Sequence, residues 1–347
     1  MILHSRPTID QRDIDCVSQV LLSGHLEDGA NVRELELLFC SKFQRRYAVA
    51  VSSGFASILL SLKALRISDG DEVIIPSYTC PALLNPIRLL GAIPVLADVE
   101  ENSFNIAFDN VAHLLSKKTK AIIIPHTFGF PANIDSIKEL GIPVIEDCAQ
   151  ALGGSYHKAK LGSFGDLSVF SFYATKMIAA GDGGMIVTDN EEYYRIIQDY
   201  RYYGHRKGCN TIAYNFHLTN LPAALALSQL ERIGVFVQRR QLLASLYDSL
   251  LTNVEGVSTC FTNKEESCYY RYPIRVKDAT SIILRMKERG ISCGHGVLDG
   301  MHQLLGYDGH LYPHTEKNLE TIVSLPIYPL LTNSDVYQVV NTLKQVL

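Results

Sequence analysis

Residues 47–65 read YAVAVSSGFASILLSLKAL. A run that favours a β-strand leads through a small turn into a run with the apolar spacing of a helix. The same pattern recurs along the chain, and it predicts strands at 47–51, 72–76, 93–97, 121–124, 142–145, 167–171 and 184–187. Continuous apolar strands that alternate with helices are typical of a sheet covered on both faces. We therefore expect an α/β fold with a mostly parallel seven-stranded sheet.

The pattern changes after about residue 193. A single long helix is predicted from about 222 to 250, and mixed strands and helices follow it at 270–276, 282–289 and 336–347. We predict a large domain over residues 1–235 and a smaller α+β C-terminal domain over residues 236–347. The first ~20 residues could pack on the small domain instead of the large one.

The composition is that of an ordinary globular protein. Of 347 residues 47% are hydrophobic and 20% are charged, and the formal net charge of −4 argues against nucleic-acid binding through a general basic field. The apolar runs fall far short of the roughly 20 residues of a transmembrane helix, and the N-terminus lacks a signal-peptide pattern. The eight cysteines stand singly, without a CxxC pair. We expect reduced thiols in a cytoplasmic protein and no metal site.

A lysine follows the sixth predicted strand. Residues 170–176 read FSFYATK, and GDGG follows at 181–184. An amine held among apolar neighbours at a strand end can act as a free base and attack a carbonyl group. Taken alone, this run favours an ordinary surface lysine beside a glycine-rich turn over a reactive amine. The interpretation of Lys176 as a reactive amine therefore depends on other motifs of the sequence.

The end of the fifth predicted strand carries residues that suit a charged ligand. The strand that ends in Glu146 and Asp147 places a carboxylate at the carboxyl edge of the sheet, where ligands bind in such folds. A buried carboxylate needs a cationic partner, and a protonated pyridine nitrogen is one. The alternatives are a helix N-cap and a metal ligand, although no partner cluster for a metal is visible.

The turn before the first helix of the repeating pattern is a candidate phosphate site. Residues 52–57 read SSGFAS, and backbone N–H groups at a helix start suit a phosphate monoester when small residues allow close approach. Ser171 could add a hydroxyl group. Taken alone, the turn is equally well a plain capped helix start, because it matches neither the Walker pattern nor the dinucleotide glycine pattern.

The ordered set of motifs is more specific than any one of them. The chain resembles the DegT/DnrJ/EryC1/StrS family of aminotransferases, mostly nucleotide-sugar aminotransferases, which are pyridoxal 5'-phosphate (PLP) enzymes of fold type I. The resemblance covers nearly the whole sequence, and its most diagnostic stretches are EDCAQ at 146–150, FGD at 164–166, FSF at 170–172 with TK at 175–176, and GDGG at 181–184.

The resemblance implies a role for each matching residue. Lys176 would form the Schiff base with PLP and shuttle the proton between cofactor and substrate. Asp147 would pair with the pyridinium nitrogen, and Gln150 would contact the 3-hydroxyl group of the ring. The phosphate would be held by Gly54, Phe55 and Ser171.

Other positions concern the partner subunit and the departures from the family pattern. Asn215 is similar to the asparagine that the family sends into the neighbouring subunit's phosphate site, which implies a homodimer. Cys80 stands where an aromatic residue often stacks on the cofactor ring. Phe55 replaces a threonine of the phosphate loop, His217 an arginine, and the element at His295 is altered. Because of these changes, the resemblance does not identify the molecule that accepts the amino group.

The resemblance implies an aminotransferase that works in two half-reactions. An amino-acid donor, L-glutamate by family analogy, would convert PLP to pyridoxamine 5'-phosphate (PMP), and a keto sugar, nucleotide-linked, would then accept the amine in amino-sugar biosynthesis. A non-nucleotide ketone or a cyclitol precursor is the alternative acceptor. A dehydratase relative would carry histidine in place of Lys176, and a non-catalytic regulatory homologue would be expected to lose Lys176 or Asp147.

Overall fold

The computed structural model describes residues 1–203, 212–259, 261–262 and 264–347. The first twelve α-helices and strands are α1 Gln11–Ser23, α2 Ala30–Phe43, β1 Tyr47–Val51, α3 Gly54–Ala64, β2 Glu72–Pro76, α4 Pro81–Leu89, β3 Ile93–Ala97, α5 Phe108–Leu114, β4 Thr119–Pro125, α6 Ile134–Lys138, β5 Val144–Asp147 and β6 Ser155–Tyr156. The remaining elements are β7 Ala159–Lys160, β8 Leu167–Ser171, β9 Gly184–Thr188, α7 Glu191–Arg201, α8 Asn220–Glu231, α9 Ile233–Leu251, β10 Tyr272–Arg275, α10 Ala279–Glu288, β11 Gly294–His295, α11 Met301–Leu305, α12 Pro313–Thr321, β12 Ile322–Leu325 and α13 Asn333–Val346.

The large sheet has seven strands in the order β1-β9-β8-β5-β4-β2-β3. The pairs β8–β5, β5–β4, β4–β2 and β2–β3 are parallel, and only β9 runs opposite to its neighbours β1 and β8. Apolar side chains are buried on both faces of this sheet. The predicted α/β fold with a mostly parallel seven-stranded sheet is therefore confirmed.

The carboxyl ends of β4, β5 and β8 meet at one edge of the sheet. Pro125 pairs with Asp147 across the first pair, and Asp147 pairs with Val169 across the second. The start of α3 lies at the same edge, because β1 carries the chain directly into it. These four chain segments bring the candidate residues together.

The predicted single helix from 222 to 250 is wrong. The chain forms two helices, α8 and α9, which are separated at Arg232 (φ −97°, ψ 3°). The Arg232 side chain donates from Nε to the Ser228 carbonyl at 3.1 Å and forms ion pairs with Asp10 and Asp13 of the N-terminal segment. The break depends on contacts with a segment that is distant in sequence, so the local apolar pattern could not reveal it.

A second sheet lies in the C-terminal part of the chain. Its strands are antiparallel in the order β10-β12-β11, and α10 and α13 share its apolar core. The N-terminal residues join this part of the molecule, since Ile2 pairs with Ile291 and His4 Nε2 lies 2.8 Å from Ser324 Oγ. The division into domains at residue 235 stays a proposal.

In the described ranges, the helices are too short or too polar to cross a membrane.

Candidate cofactor and active site

A cavity of about 630 Å³ opens at the carboxyl edge of the large sheet. One wall comes from the large sheet and α3, and the other comes from the segment before β10 and the residues around β11. The cavity contains seven of the eight site residues expected from sequence: Gly54, Phe55, Cys80, Asp147, Gln150, Ser171 and Lys176.

Lys176 lies in a turn just after β8. Its backbone N–H donates to the Tyr173 carbonyl at 2.8 Å, and its Nζ lies 5.2 Å from the centroid of the Tyr270 ring. In the described ranges the amine forms no ion pair. The lysine is half-buried and lines the cavity, so it is not the exposed surface residue that its local sequence favours.

Asp147 is the last residue of β5 and is only 6% exposed. Its Oδ1 accepts a hydrogen bond from the Ala149 N–H at 2.9 Å. Burial raises the pKa of this carboxyl above its ordinary value, although the Ala149 N–H and the charge of Lys176 act in the opposite direction. The carboxylate is thus short of cationic partners, which fits a protonated ring nitrogen in the cavity.

Its neighbour Glu146 points into a separate buried network. The two carboxylate oxygens accept from the backbone N–H groups of Gly162, Phe164 and Gly165 and from Ser168 Oγ. His126 Nε2 lies 3.1 Å from the same carboxylate. Burial raises the pKa of Glu146, but these hydrogen bonds and the neighbouring His126 outweigh burial and lower it to about 2.

His126 has one hydrogen-bonding pattern that satisfies both ring nitrogens. Nδ1 accepts from the Ala132 N–H at 3.0 Å, so Nε2 carries the proton and donates to Glu146. Cys148 completes a compact group with these two residues. Because the Glu146 oxygens and both His126 nitrogens already have hydrogen-bond partners, we interpret this group as a structural network beside the cavity.

The start of α3 and the end of β8 form a close junction. Ser53 caps the helix by accepting from the Ala56 N–H at 3.1 Å. A Cβ atom added at Gly54 would lie 2.8 Å from Ser171 Cβ, so only glycine permits this approach. The N–H groups of Gly54 and Phe55 belong to the first helical turn, which has no acceptors within the helix. The junction therefore fits a phosphate monoester.

Two further candidates line the same cavity. The half-buried Gln150 accepts a hydrogen bond from the Phe128 N–H at 2.7 Å through Oε1, and this bond fixes the orientation of its amide. Cys80 is exposed at the N-cap of α4. Asn215 does not line the cavity. It is exposed, and its backbone forms an isolated antiparallel β-bridge with Tyr202.

Sequence reasoning missed the opposite wall of the cavity. Tyr270 and Arg271 stand just before β10, and His4 comes from the N-terminus. Burial acts to raise the pKa of Tyr270, but the charges of Lys176 and Arg271 outweigh burial and lower it. The run CYYRY at 268–272 was a possible signal, because aromatic and basic residues concentrate there. Only the tertiary fold brings it opposite Lys176.

Comparisons with known proteins show the family of this chain. The profile of the DegT/DnrJ/EryC1/StrS aminotransferase family matches residues 7–344. An uncharacterised protein of Methanocaldococcus jannaschii, MJ1066, is 32% identical and covers 98% of this chain and 96% of its own length.

Solved structures are similar over nearly the whole chain. The PMP form of Spr1654 from Streptococcus pneumoniae, assigned as a sugar aminotransferase, has a TM-score of 0.94 at 27% identity and covers 100% of this chain and 99% of its own. The aminotransferase TlmJ from Streptoalloteichus hindustanus also has a TM-score of 0.94, at 28% identity, with coverages of 99% and 98%. S. venezuelae DesV has a TM-score of 0.91 at 28% identity, with coverages of 96% and 93%.

Fold, cavity and comparisons together define a PLP-dependent aminotransferase of fold type I. The chain belongs to the DegT/DnrJ/EryC1/StrS aminotransferase family. The predicted cofactor is confirmed as well, since Spr1654 has been solved in both a PLP form and a PMP form. Spr1654, one of the similar structures, is assigned as a sugar aminotransferase.

Proposed function

We propose that the protein transfers an amino group from L-glutamate to a nucleotide-linked keto sugar in amino-sugar biosynthesis. The observation that carries this proposal is the convergence of Lys176, Asp147 and the Gly54–Ser171 junction on one cavity. PseC of Helicobacter pylori is an aminotransferase involved in the biosynthesis of pseudoaminic acid. It is 25% identical to this chain, and the alignment covers 98% of PseC. It supports a sugar acceptor for this chain.

Each of these cavity residues has a separate role in the reaction. When bound, PLP supplies an electron-withdrawing ring that stabilises negative charge on the substrate carbon. Lys176 Nζ would take the proton from the α-carbon of the amino donor and deliver it to the cofactor, and in the second half-reaction it would carry a proton from the cofactor to the acceptor carbon. Asp147 would hold the proton on the ring nitrogen, and the amide of Gln150 would contact the 3-hydroxyl group. Cys80 borders the ring in place of an aromatic side chain.

The phosphate is held at the helix start. The N–H groups of Gly54 and Phe55 and the hydroxyl group of Ser171 would donate to its oxygens. Asn215 completes the phosphate site of the partner subunit in a homodimer, which agrees with its exposure in the single chain. His217 stands in the same extended segment.

Two further proposals concern the whole chain. We place the protein in the cytoplasm, because the cysteines of the described ranges are free; Cys209 and Cys260 lie outside the described residues. The division into domains 1–235 and 236–347 follows the strands of the two larger sheets, while Tyr78 and Phe104 of the first range share the apolar core of the C-terminal sheet.

The proposal is tested on PLP-loaded protein by absorption spectroscopy. L-Glutamate should convert the PLP band to the PMP band, and a nucleotide-linked keto sugar should restore the PLP band. Unlinked keto sugars and cyclitol-type ketones serve as competing acceptors in the same screen. Restoration by an unlinked ketone alone would contradict the nucleotide linkage, and failure of every amino acid to convert the band would contradict aminotransfer.

A further inference from the structure

The guanidinium group of Arg271 occupies the cavity wall without an acidic partner. Its Cζ lies 4.5 Å from the centroid of the Tyr270 ring, and Nη2 donates to Tyr270 Oη at 3.2 Å. Nη1 is buried and has no hydrogen-bond acceptor. No carboxylate of the described residues forms an ion pair with this arginine. Buried N–H donors normally have acceptors, so an acceptor from outside the chain is expected.

The charge of Arg271 is not offset by the groups around it. Burial and, to a smaller extent, the positive charge of Arg271 lower the pKa of His4 to about 3. This histidine is therefore neutral at physiological pH. The cavity also holds the carboxylates of Asp182 and Asp299, which are both exposed. Asp147 is the third carboxylate of the lining and is buried, and none of the three forms an ion pair with Arg271, so the guanidinium group can pair with an anion.

The main chain below Arg271 is fixed in place. The Arg271 N–H donates to the Phe128 carbonyl at 3.2 Å. The buried Arg240 donates to the carbonyls of Tyr269 and Tyr270 at 3.2 and 3.4 Å and to that of Ile327 at 2.9 Å. A cation on a fixed main chain binds an anion with less loss of conformational entropy than one on a mobile loop.

We infer that Arg271 binds a substrate carboxylate, that of the amino-acid donor. The inference rests on the proposed function. Arginine N–H groups form a planar fork that matches a carboxylate. Lys176 Nζ and Arg271 Cζ lie 5.2 and 4.5 Å from one ring centroid, so their separation cannot exceed the sum of these distances. Both groups therefore border the Tyr270 ring in one cavity, and the carboxylate of an α-amino acid is bonded to the carbon that loses the proton.

Calorimetry on the PLP-loaded protein tests the site independently of turnover. Glutarate stands for the donor's carboxylates, and D-glucuronate stands for a carboxylate on a sugar acceptor. Arg271→Met should weaken glutarate binding roughly 10- to 100-fold, the loss expected for a charge-assisted hydrogen bond. Lys277→Gln is the matched control, because it removes one positive charge from an exposed position outside the cavity.

The outcomes separate this inference from the proposed function. Equal glutarate affinity in Arg271→Met and wild type, or no glutarate binding to wild type, would overturn the site. If Arg271→Met lost affinity for glucuronate but not for glutarate, Arg271 would bind a carboxylate of the acceptor, and the assignment to the donor would be wrong. In the half-reaction, Arg271→Met should raise KM for L-glutamate more than it lowers kcat. A wild-type protein that binds glutarate through Arg271 but converts no amino acid would contradict only aminotransfer.

Discussion

At the scale of single residues, the candidate cofactor site depends on which buried carboxylate has too few hydrogen-bond donors and cations around it. Asp147 and Glu146 are adjacent and both buried, yet their pKa values move in opposite directions. Glu146 has three backbone N–H donors, a serine hydroxyl and His126, whereas Asp147 has one backbone N–H. The contrast marks Asp147 as the residue available for a ligand, and Glu146 as part of the scaffold.

Asp147→Asn should separate cofactor binding from folding. Because the folded-state pKa of Asp147 is raised, its contribution to stability declines as the pH rises through that pKa. Cofactor-free Asp147→Asn should therefore be no less stable than wild type at pH 7, while PLP affinity falls at least ~10-fold with the loss of the ion pair. Urea unfolding and PLP titration measure the two effects. A strongly destabilised apo variant would assign Asp147 a structural role.

Gly54→Ala should disturb the phosphate junction. The new Cβ would lie 2.8 Å from Ser171 Cβ, so α3 and β8 must move apart. We expect a loss of about 1–3 kcal/mol in stability, as for overpacking elsewhere, together with weaker PLP binding. Gly234→Ala is the matched control, because its Cβ meets no atom within 4 Å. Wild-type PLP affinity in Gly54→Ala would argue against a phosphate at this junction.

At the scale of elements, the strands of the large sheet could be predicted because each is a continuous apolar run. β1, β2, β3 and β8 occupy the predicted residues. β5 begins at Val144, two residues later than expected, since Pro143 has no N–H to donate to a strand ladder. The α8–α9 break could not be predicted, because Arg232 turns the chain through ion pairs with α1 and the residue that caps it.

Glu146 connects β5 to the turn at residues 162–165, so Glu146→Gln should loosen this connection. An amide would place N–H groups against backbone N–H donors, and we expect a loss of about 3–5 kcal/mol, typical of a broken buried charge network. The folded pKa of about 2 lies below the ordinary value of 4.5. The stabilisation by Glu146 is therefore present above about pH 4.5 and declines towards pH 2.

Urea unfolding of the cofactor-free proteins at pH 7 and near pH 3 checks this prediction. The difference between wild type and Glu146→Gln should shrink at the lower pH. Exposed Glu139→Gln serves as the control and should be close to wild type at both values. A difference that is the same at pH 7 and pH 3 would contradict the assigned role of the charge.

At the scale of the whole molecule, the cavity exists because segments that are distant in sequence meet: the strand ends of the large sheet, the residues before β10, the residues around β11 and His4. Lys176 and Asp147 could be found from the sequence, since their strand ends carry recognisable motifs. Tyr270 and Arg271 could not, because they reach the cavity through the pairing of residues 268–271 with the turn at 128–129. Phe128 adopts a left-handed conformation in that turn (φ 60°), which no apolar pattern signals.

A shared site makes a prediction about mixed dimers. If Asn215 completes the partner's phosphate site, Asn215→Ala and Lys176→Ala proteins should each have little activity. After unfolding and refolding together in equal amounts, half the dimers are mixed, and each has one intact site. About a quarter of wild-type activity should return, as two-fold symmetry requires. No recovery despite mixed dimers detected by mass spectrometry would place Asn215 outside the partner's site.

The central claim, that Lys176 is the catalytic amine, has a direct test. Borohydride reduction of the PLP-loaded protein, followed by peptide mapping, should locate the cofactor on Lys176. Lys176→Ala should bind PLP without covalent attachment and lose nearly all turnover, while keeping its unfolding transition. Covalent cofactor at another lysine, or full turnover by Lys176→Ala, would contradict the account.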